Sequence, residues 1–394
     1  MVAATRHSSR YVMSAQQVSL LDRAFELLDS TRSPQDFTLV LHFNEPPSNE
    51  GLQAGAKSAC EHFPSTVSTG EIETRIDLDR FVNEAFDLRS YPIKQVFDGD
   101  TLATRFHHVA ADGLSAALWL GHQLSVAYGL TPPPGVAALS LRRATTSTRR
   151  SKFAYDGACN PLWTPHSTRS GTRRWVTFSF PSSDLRQACR RAGGFTYSDL
   201  LATCALEILR EWNTRHNGYN TSQVGLWLPM NIRSRSFEGF GNGTSRIRLY
   251  ARYQAEASLL DKAREIRRQV SWTTEHGEWA VPELPLLTKL PGWITAPALR
   301  HYLNRPSIDM ATGVFSHADR WAGEAREAFK YVDRIECVGL LHTRQNLAIN
   351  GATHQGQTWM TFTYDAGQLR ATDADELVRM YQRQLKTART ELGV

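Results

Sequence analysis

The seven residues His107-His108-Val109-Ala110-Ala111-Asp112-Gly113 restrict this chain more than any other feature, because they sit where one structural period gives way to another. Thr101 to His107 reads as a strand, and from there Leu114, Ala117, Leu118, Leu124 and Tyr128 recur near helical spacing. Gly129 and Pro132-Pro133-Pro134 then stop the helix. The chain must therefore turn from strand to helix through a short loop bearing two histidines, an aspartate and a glycine. With 13 His and 26 Gly among 394 residues, a chance match to this pattern is expected only about 0.001 times.

A loop at a strand end can present a side chain to a cleft while the helix behind it holds the frame. A neutral imidazole placed there can take a proton from an attacking hydroxyl or amine, since its ordinary pKa is about 6.5. Adjacent residues of an extended segment face opposite ways, so one of His107 and His108 meets a cavity while the other packs inside. Asp112, opening the helix, can accept backbone N–H groups or pair with an arginine, and Gly113 leaves room for a close approach of substrate or backbone. Neighbouring histidines diverge and no third ligand follows at a recognised spacing, so no metal is expected. No Gly-x-Ser-x-Gly elbow, Walker loop or His-Glu-x-x-His occurs.

The rest of the chain reads as α+β in two halves, residues 1–165 and 166–394, with mixed or antiparallel sheets. In the first half, Phe37 to Phe43 predicts a strand and Leu52 to His62 a helix. In the second, Trp175 to Phe180 and Val224 to Pro229 predict strands. Thr196-Tyr197-Ser198-Asp199 resembles a capping box before a helix with Leu201, Cys204, Ala205, Ile208 and Trp212 on one face. Met360, Phe362 and Tyr364 alternate as a strand, and Thr372-Asp-Ala-Asp375 opens a last helix that buries Leu377, Val378, Tyr381 and Leu385.

Between the halves, Arg142, Arg143, Arg149, Arg150, Lys152, Arg169, Arg173 and Arg174 fall in a Ser-, Thr- and Pro-rich segment that reads as a mobile basic linker. Such a linker could attract a phosphorylated cofactor or an acidic carrier protein. Gly239-Phe-Gly241-Asn-Gly243 lacks the strand and helix context of a nucleotide loop.

Composition removes several classes. The chain is 41% hydrophobic and 21% charged, as expected of a folded protein rather than a disordered one. Its five cysteines are odd in number and scattered, which argues against structural zinc and a disulfide scaffold and for free thiols in the cytoplasm. The net charge of +6 rests on 38 Arg against 7 Lys, without the interleaved aromatics of a nucleic-acid surface, so no nucleic-acid partner is expected. No run of about 18 apolar residues predicts a transmembrane segment, and the first residues lack the apolar stretch of an export signal.

The motif in this setting resembles the HHxxxDG acyltransferases, which include chloramphenicol acetyltransferase, nonribosomal peptide condensation domains, polyketide-associated acyltransferases and wax ester synthases. Phe86-Asp87-Leu88 followed by Pro92 is similar to the family's segment before the motif strand. Leu228-Pro-Met-Asn-Ile-Arg233 resembles its later Pro-Val-x-Leu-Arg strand end, and Gly241-Asn242 the Gly-Asn that follows. The likeness spans most of the chain.

It implies two chloramphenicol-acetyltransferase-like subdomains in a V shape, their mixed sheets flanked by helices, around a central tunnel that donor and acceptor enter from opposite faces. It implies His108 as general base, with His107 and Gly113 supporting the loop and Asp112 structural, paired with Arg233. Ser316, within Thr312-Gly-Val-Phe-Ser316-His317, and Asn242 are implied as tunnel or oxyanion residues. The expected activity is transfer of an acyl group from a thioester, acyl-CoA or an acyl group on a carrier protein's phosphopantetheine, to a small alcohol or amine. No cofactor is expected to stay bound. The plant-type Asp-Phe-Gly-Trp-Gly motif is absent and no carrier or adenylation module is recognisable, which implies a free-standing, monomeric enzyme of natural-product or lipid biosynthesis. The alternatives are another histidine-dependent reaction on a tethered intermediate, or a non-catalytic module that docks a carrier.

Overall fold

The computed structural model describes residues 25–30, 33–63, 71–74, 77–86, 92–133, 152–155, 158–217, 223–231, 239–254, 256–276, 291–303, 311–319, 326–342 and 344–394. Their strands are β1 (Asp36–Phe43), β2 (Glu73–Thr74), β3 (Ile93–Asp98), β4 (Thr101–His107), β5 (Arg173–Pro181), β6 (Gly225–Asn231), β7 (Thr244–Tyr250), β8 (Gly313–Ala318), β9 (Val332–Val338), β10 (Leu347–His354) and β11 (Gln357–Asp365). The helices are α1 (Asn49–His62), α2 (Leu78–Asn83), α3 (Gly113–Ala127), α4 (Ser183–Ala192), α5 (Tyr197–Asn217), α6 (Leu259–Glu275), α7 (Gly292–Leu303) and α8 (Ala371–Leu392).

Both sheets mix parallel and antiparallel pairs. The first runs β2-β3-β4-β1-β9, and its core joins Leu39, Leu41 and Phe106 to Leu52 and Ala56 of α1 and Trp119 and Leu120 of α3. Here α1 and α3 touch so closely that a Cβ on Gly55 would stand 2.2 Å from the Gln123 carbonyl oxygen, which is why glycine occupies that position. The second sheet runs β5-β11-β10-β8-β6-β7. One of its faces is covered by α5, α6 and α8 through Leu201, Leu209, Ile266, Leu377 and Tyr381, which pack on Phe315, Ile349 and Phe362.

The expected strand Thr101 to His107 and the helix beginning beside it are present to within a residue. The predicted cap of α5 is also present: Thr196 N–H donates to Asp199 Oδ2 at 2.7 Å, and Asp199 N–H donates to Thr196 Oγ1 at 3.2 Å. The last helix starts earlier than Thr372, because Asp373 accepts from the Arg370 N–H at 2.9 Å and so fixes Arg370 as the cap.

The two halves of the chain are interleaved. β9 comes late in sequence yet pairs antiparallel with β1, in register from Thr38 opposite Val338 to Leu41 opposite Ile335. β11 of the second sheet holds the same segment, since Thr361 Oγ1 accepts from Cys337 N–H at 3.1 Å and Thr363 Oγ1 accepts from Gly339 N–H at 3.0 Å. Among the basic residues of the expected linker that are described, three are built into the fold. Arg173 is 1% exposed, Arg169 bonds the carbonyls of Leu341 and His342, and Arg174 pairs with Asp79. Residues 134–151, with the other linker arginines, lie outside the described residues.

Candidate active site

The motif loop leaves the end of β4 and is held on three sides. His107 N–H donates to Pro92 O, and His108 N–H donates to Gln35 O, both at 3.0 Å. Behind the loop, Asp112 caps α3, its Oδ1 accepting from Ser115 N–H at 2.9 Å. Its other oxygen reaches the second half of the chain, accepting from Gly243 N–H at 2.9 Å and Thr244 Oγ1 at 2.8 Å. Ser115 Oγ donates to Gly241 O at 2.7 Å and accepts from Gly241 N–H at 3.0 Å, and Asn242 Nδ2 donates to His108 O at 3.0 Å. The segment Gly241–Thr244 is thus a clasp that closes on the histidine loop.

The two histidines are treated differently. His107 is fully buried; its Nδ1 accepts from Val109 N–H at 3.2 Å, which leaves the ring proton on Nε2. That nitrogen lies 3.6 Å from Asp29 Oδ1, and the Phe86 ring packs against the imidazole at 5.6 Å. His108 is half-buried, stacked on Phe25 at 4.7 Å and tilted against Phe37 at 4.8 Å. Its Nδ1 is buried with no hydrogen-bond partner among the described residues. Burial, reinforced by neighbouring His107 and opposed by Asp112 and Asp36, pushes the His108 pKa down to about 4. The ring is neutral at pH 7.

A buried charge cluster stands beside the loop. Asp36, opposite His107 in the β1–β4 register, accepts from Arg105 Nε and Nη2, both at 2.8 Å. Arg173 Nη2 meets the same carboxylate at 2.8 Å from the start of β5. All three side chains are essentially unexposed, and the two guanidiniums hold the Asp36 carboxyl far below the usual carboxylate range against the cost of burial. Arg105 also donates to the carbonyls of Phe81 and Glu84, and Arg173 to that of Val82.

The expected site residues separate accordingly. His107, His108, Asp112 and Asn242 come together. Gly113 begins α3 with no atom near the position of a Cβ, so among the described residues no backbone approaches it and the space before it is open. Ser316 lies on β8, level with Asn350 of β10, and nothing among the described residues ties it to His108. Arg233, Asp87 and Leu88 lie outside the described residues; Leu228–Asn231 form the end of β6. The sequence reading passed over Phe25, Ser115 and Thr244. Of these, only Ser115 carried a local signal, three residues after a capping aspartate.

Among the described residues no group of three or more His, Cys, Asp or Glu could hold a metal ion, all five cysteines are free, and no helix is long and apolar enough to cross a membrane.

No family model and no curated protein matches this sequence. Solved structures do. The starter condensation domain of rhizomide synthetase, in complex with C8-CoA and Leu-SNAC, aligns with a TM-score of 0.63 at 13% identity, over 94% of each chain. This chain has the condensation-domain fold. Trichothecene 15-O-acetyltransferase from Fusarium sporotrichioides has a TM-score of 0.60 at 12% identity, covering 93% of this chain and 94% of that one. The epimerization domain of tyrocidine synthetase B has the same TM-score and identity, over 95% and 97%. The condensation-domain fold, with two mixed sheets flanked by helices, is therefore common to a condensation domain, an acetyltransferase and an epimerization domain.

Proposed function

We propose that the protein transfers an acyl group from a thioester to the hydroxyl or amine of a small molecule, with His108 as general base. The observation that carries this reading is the His108 ring itself: clamped between Phe25 and Phe37, neutral at pH 7, with Nδ1 shut away so that Nε2 is the nitrogen offered to a substrate. The acceptor's X–H proton would pass to Nε2 as X attacks the thioester carbonyl carbon. The tetrahedral oxyanion would then collapse with rupture of the C–S bond, and Nε2–H would return the proton to the departing thiolate. No acyl-enzyme is needed. The donor thioester would be acyl-CoA or an acyl group on a carrier protein, and solved neighbours of this fold include one complexed with C8-CoA.

In this scheme Asp112 and Asn242 act on the loop that carries the base, and His107 fixes its backbone through Val109. Ser316 remains the candidate oxyanion donor. The test is thiol release from a panel of acyl-CoA and acyl-carrier donors with pooled alcohols and amines, followed by product mass. His108→Ala should lower turnover by about 100- to 10,000-fold with an unchanged circular dichroism spectrum. A loss under about threefold, or a product lacking the acyl group, would overturn the assignment.

A further inference from the structure

A buried ring N–H needs an acceptor, and the Nε2 of His107 has none within hydrogen-bond reach among the described residues. The imidazole is fully buried, its Nδ1 is taken by the Val109 N–H, and its Nε2 lies 3.6 Å from Asp29 Oδ1. Asp29 reaches the motif loop by a second route as well. The same Oδ1 accepts from the Gln35 N–H at 2.9 Å, and the Gln35 carbonyl in turn accepts from the His108 N–H at 3.0 Å. One carboxylate oxygen therefore serves both histidines, the ring of His107 and the backbone of His108. Gln35 is 1% exposed and its side chain is tied to Ser33, donating to O at 2.8 Å and Oγ at 3.0 Å, so the second route runs through fixed atoms.

Asp29 is itself held from behind. Residues 25–29 form a turn closed by the Asp29 N–H, which donates to Phe25 O at 3.0 Å, and Phe25 is the ring stacked on His108 at 4.7 Å. On its other side the turn rests on α7 of the second half. Leu27 packs on Leu299, and Arg300 Nη2 donates to the Asp29 carbonyl at 2.7 Å. A turn pinned by α7, by Gln35 and by the stacked rings leaves its carboxylate little freedom to move away from His107.

We propose that Asp29 is a positioning residue for the base: its carboxylate oxygen keeps the His107 proton on Nε2, so that Nδ1 accepts from Val109, and it fixes Gln35, which holds the His108 backbone. For its effect on rate the inference rests on the acyl-transfer reading of His108. With the His107 proton on Nδ1, that nitrogen would donate instead of accept. The Val109 N–H would lose its partner inside the loop, and the His108 ring would no longer be held where the acceptor meets it. The role needs an oxygen acceptor rather than a charge, so asparagine at this position meets it and alanine does not.

The experiment uses the full chain and two readouts. In the acyl-transfer assay, Asp29→Ala should lower kcat by about 10- to 100-fold with KM changed by no more than about twofold, and Asp29→Asn should return to within about threefold of wild type. The second readout is the long-range proton–nitrogen NMR spectrum of protein carrying isotope-labelled histidine, with the His107 signal identified by its loss in His107→Gln. Wild type and Asp29→Asn should show only the Nε2–H form of His107, and Asp29→Ala the Nδ1–H form or a mixture. Should Asp29→Ala fail to fold, Asp29→Ser, whose hydroxyl is too short to reach His107, takes its place with the same expectations. Wild-type kcat in Asp29→Ala, Asp29→Asn as slow as Asp29→Ala, or a His107 ring that keeps its Nε2–H form in folded Asp29→Ala each overturns the proposal. If wild type acylates nothing in a His108-dependent way, the transfer reading fails, and the spectra alone decide whether Asp29 sets the His107 ring.

Discussion

His108 owes its proposed chemistry to what surrounds it rather than to its own identity. Between two phenyl rings and beside His107, its protonated form is penalised, so the base is in its working form across the whole neutral range. The turnover profile should therefore lack an acid limb near pH 6.5 and fall only as pH approaches about 4. Stability should behave differently. His108 and His317 both titrate near 4 when folded and near 6.5 when unfolded, so between those values the unfolded chain binds more protons and is favoured. Urea midpoints should be flat between about pH 6.5 and 8, below the ionisation of unfolded thiols, and decline steadily from pH 6.5 toward pH 4; a midpoint unchanged between pH 7 and 4.5 would contradict the burial of these rings. His317 itself is satisfied by Ser198 and Thr353 at 2.8 Å each and has no part in the proposed reaction. At this scale the sequence was legible where a motif fixed residue types at fixed spacing. It was silent on Phe25, whose importance comes from stacking on a residue distant in sequence.

The elements show why local reading succeeded in some stretches and failed in others. β4 and α3 were readable because the alternation, the Asp112 cap and the Gly129–Pro132 stop all lie within one stretch, Thr101 to Pro132. β7 and β9 were not read, because Arg246 and Arg248 blur the alternation of one and the other is defined by pairing with β1. The Gly241–Thr244 clasp falls in the same class: a glycine-rich stretch unsuited to nucleotide binding acquires meaning only when set against Ser115, Asp112 and His108. Ser115→Ala removes both of its hydrogen bonds to Gly241, the one its hydroxyl donates and the one it accepts. It should cost about 1–3 kcal/mol in denaturant unfolding and lower turnover by loosening the loop that carries the base. Ser115→Ala with wild-type stability and turnover would show that the clasp holds nothing.

Across the whole molecule, the two halves are tied by polar groups that neither could leave unpaired. Asp36 belongs to the first sheet and Arg173 to the second, and Arg105 of the motif strand shares the same carboxylate. Asp36→Ala would strand two buried guanidiniums and should destabilise the fold by about 3–5 kcal/mol, where Arg174→Ala, at a half-exposed pair, should cost under about 1 kcal/mol. Comparable losses for the two variants would mean that the interior cluster is reached by water. A division near residue 165 was the expectation drawn from the basic, Ser-, Thr- and Pro-rich segment, whereas the return of β9 to the first sheet was not expected, since nothing local in residues 332–338 names β1 as its neighbour.

That return sets a schedule for synthesis. Leu39 of β1 pairs with a residue as distant as Cys337, so one long edge of the first sheet stays unpaired until residues 332–338 have left the ribosome. At about 5–20 residues per second the wait is roughly 15 to 60 s. During it, the row of Leu39, Val40 and Leu41 is an open strand edge that has to be kept free for β9, the strand of the first sheet made last.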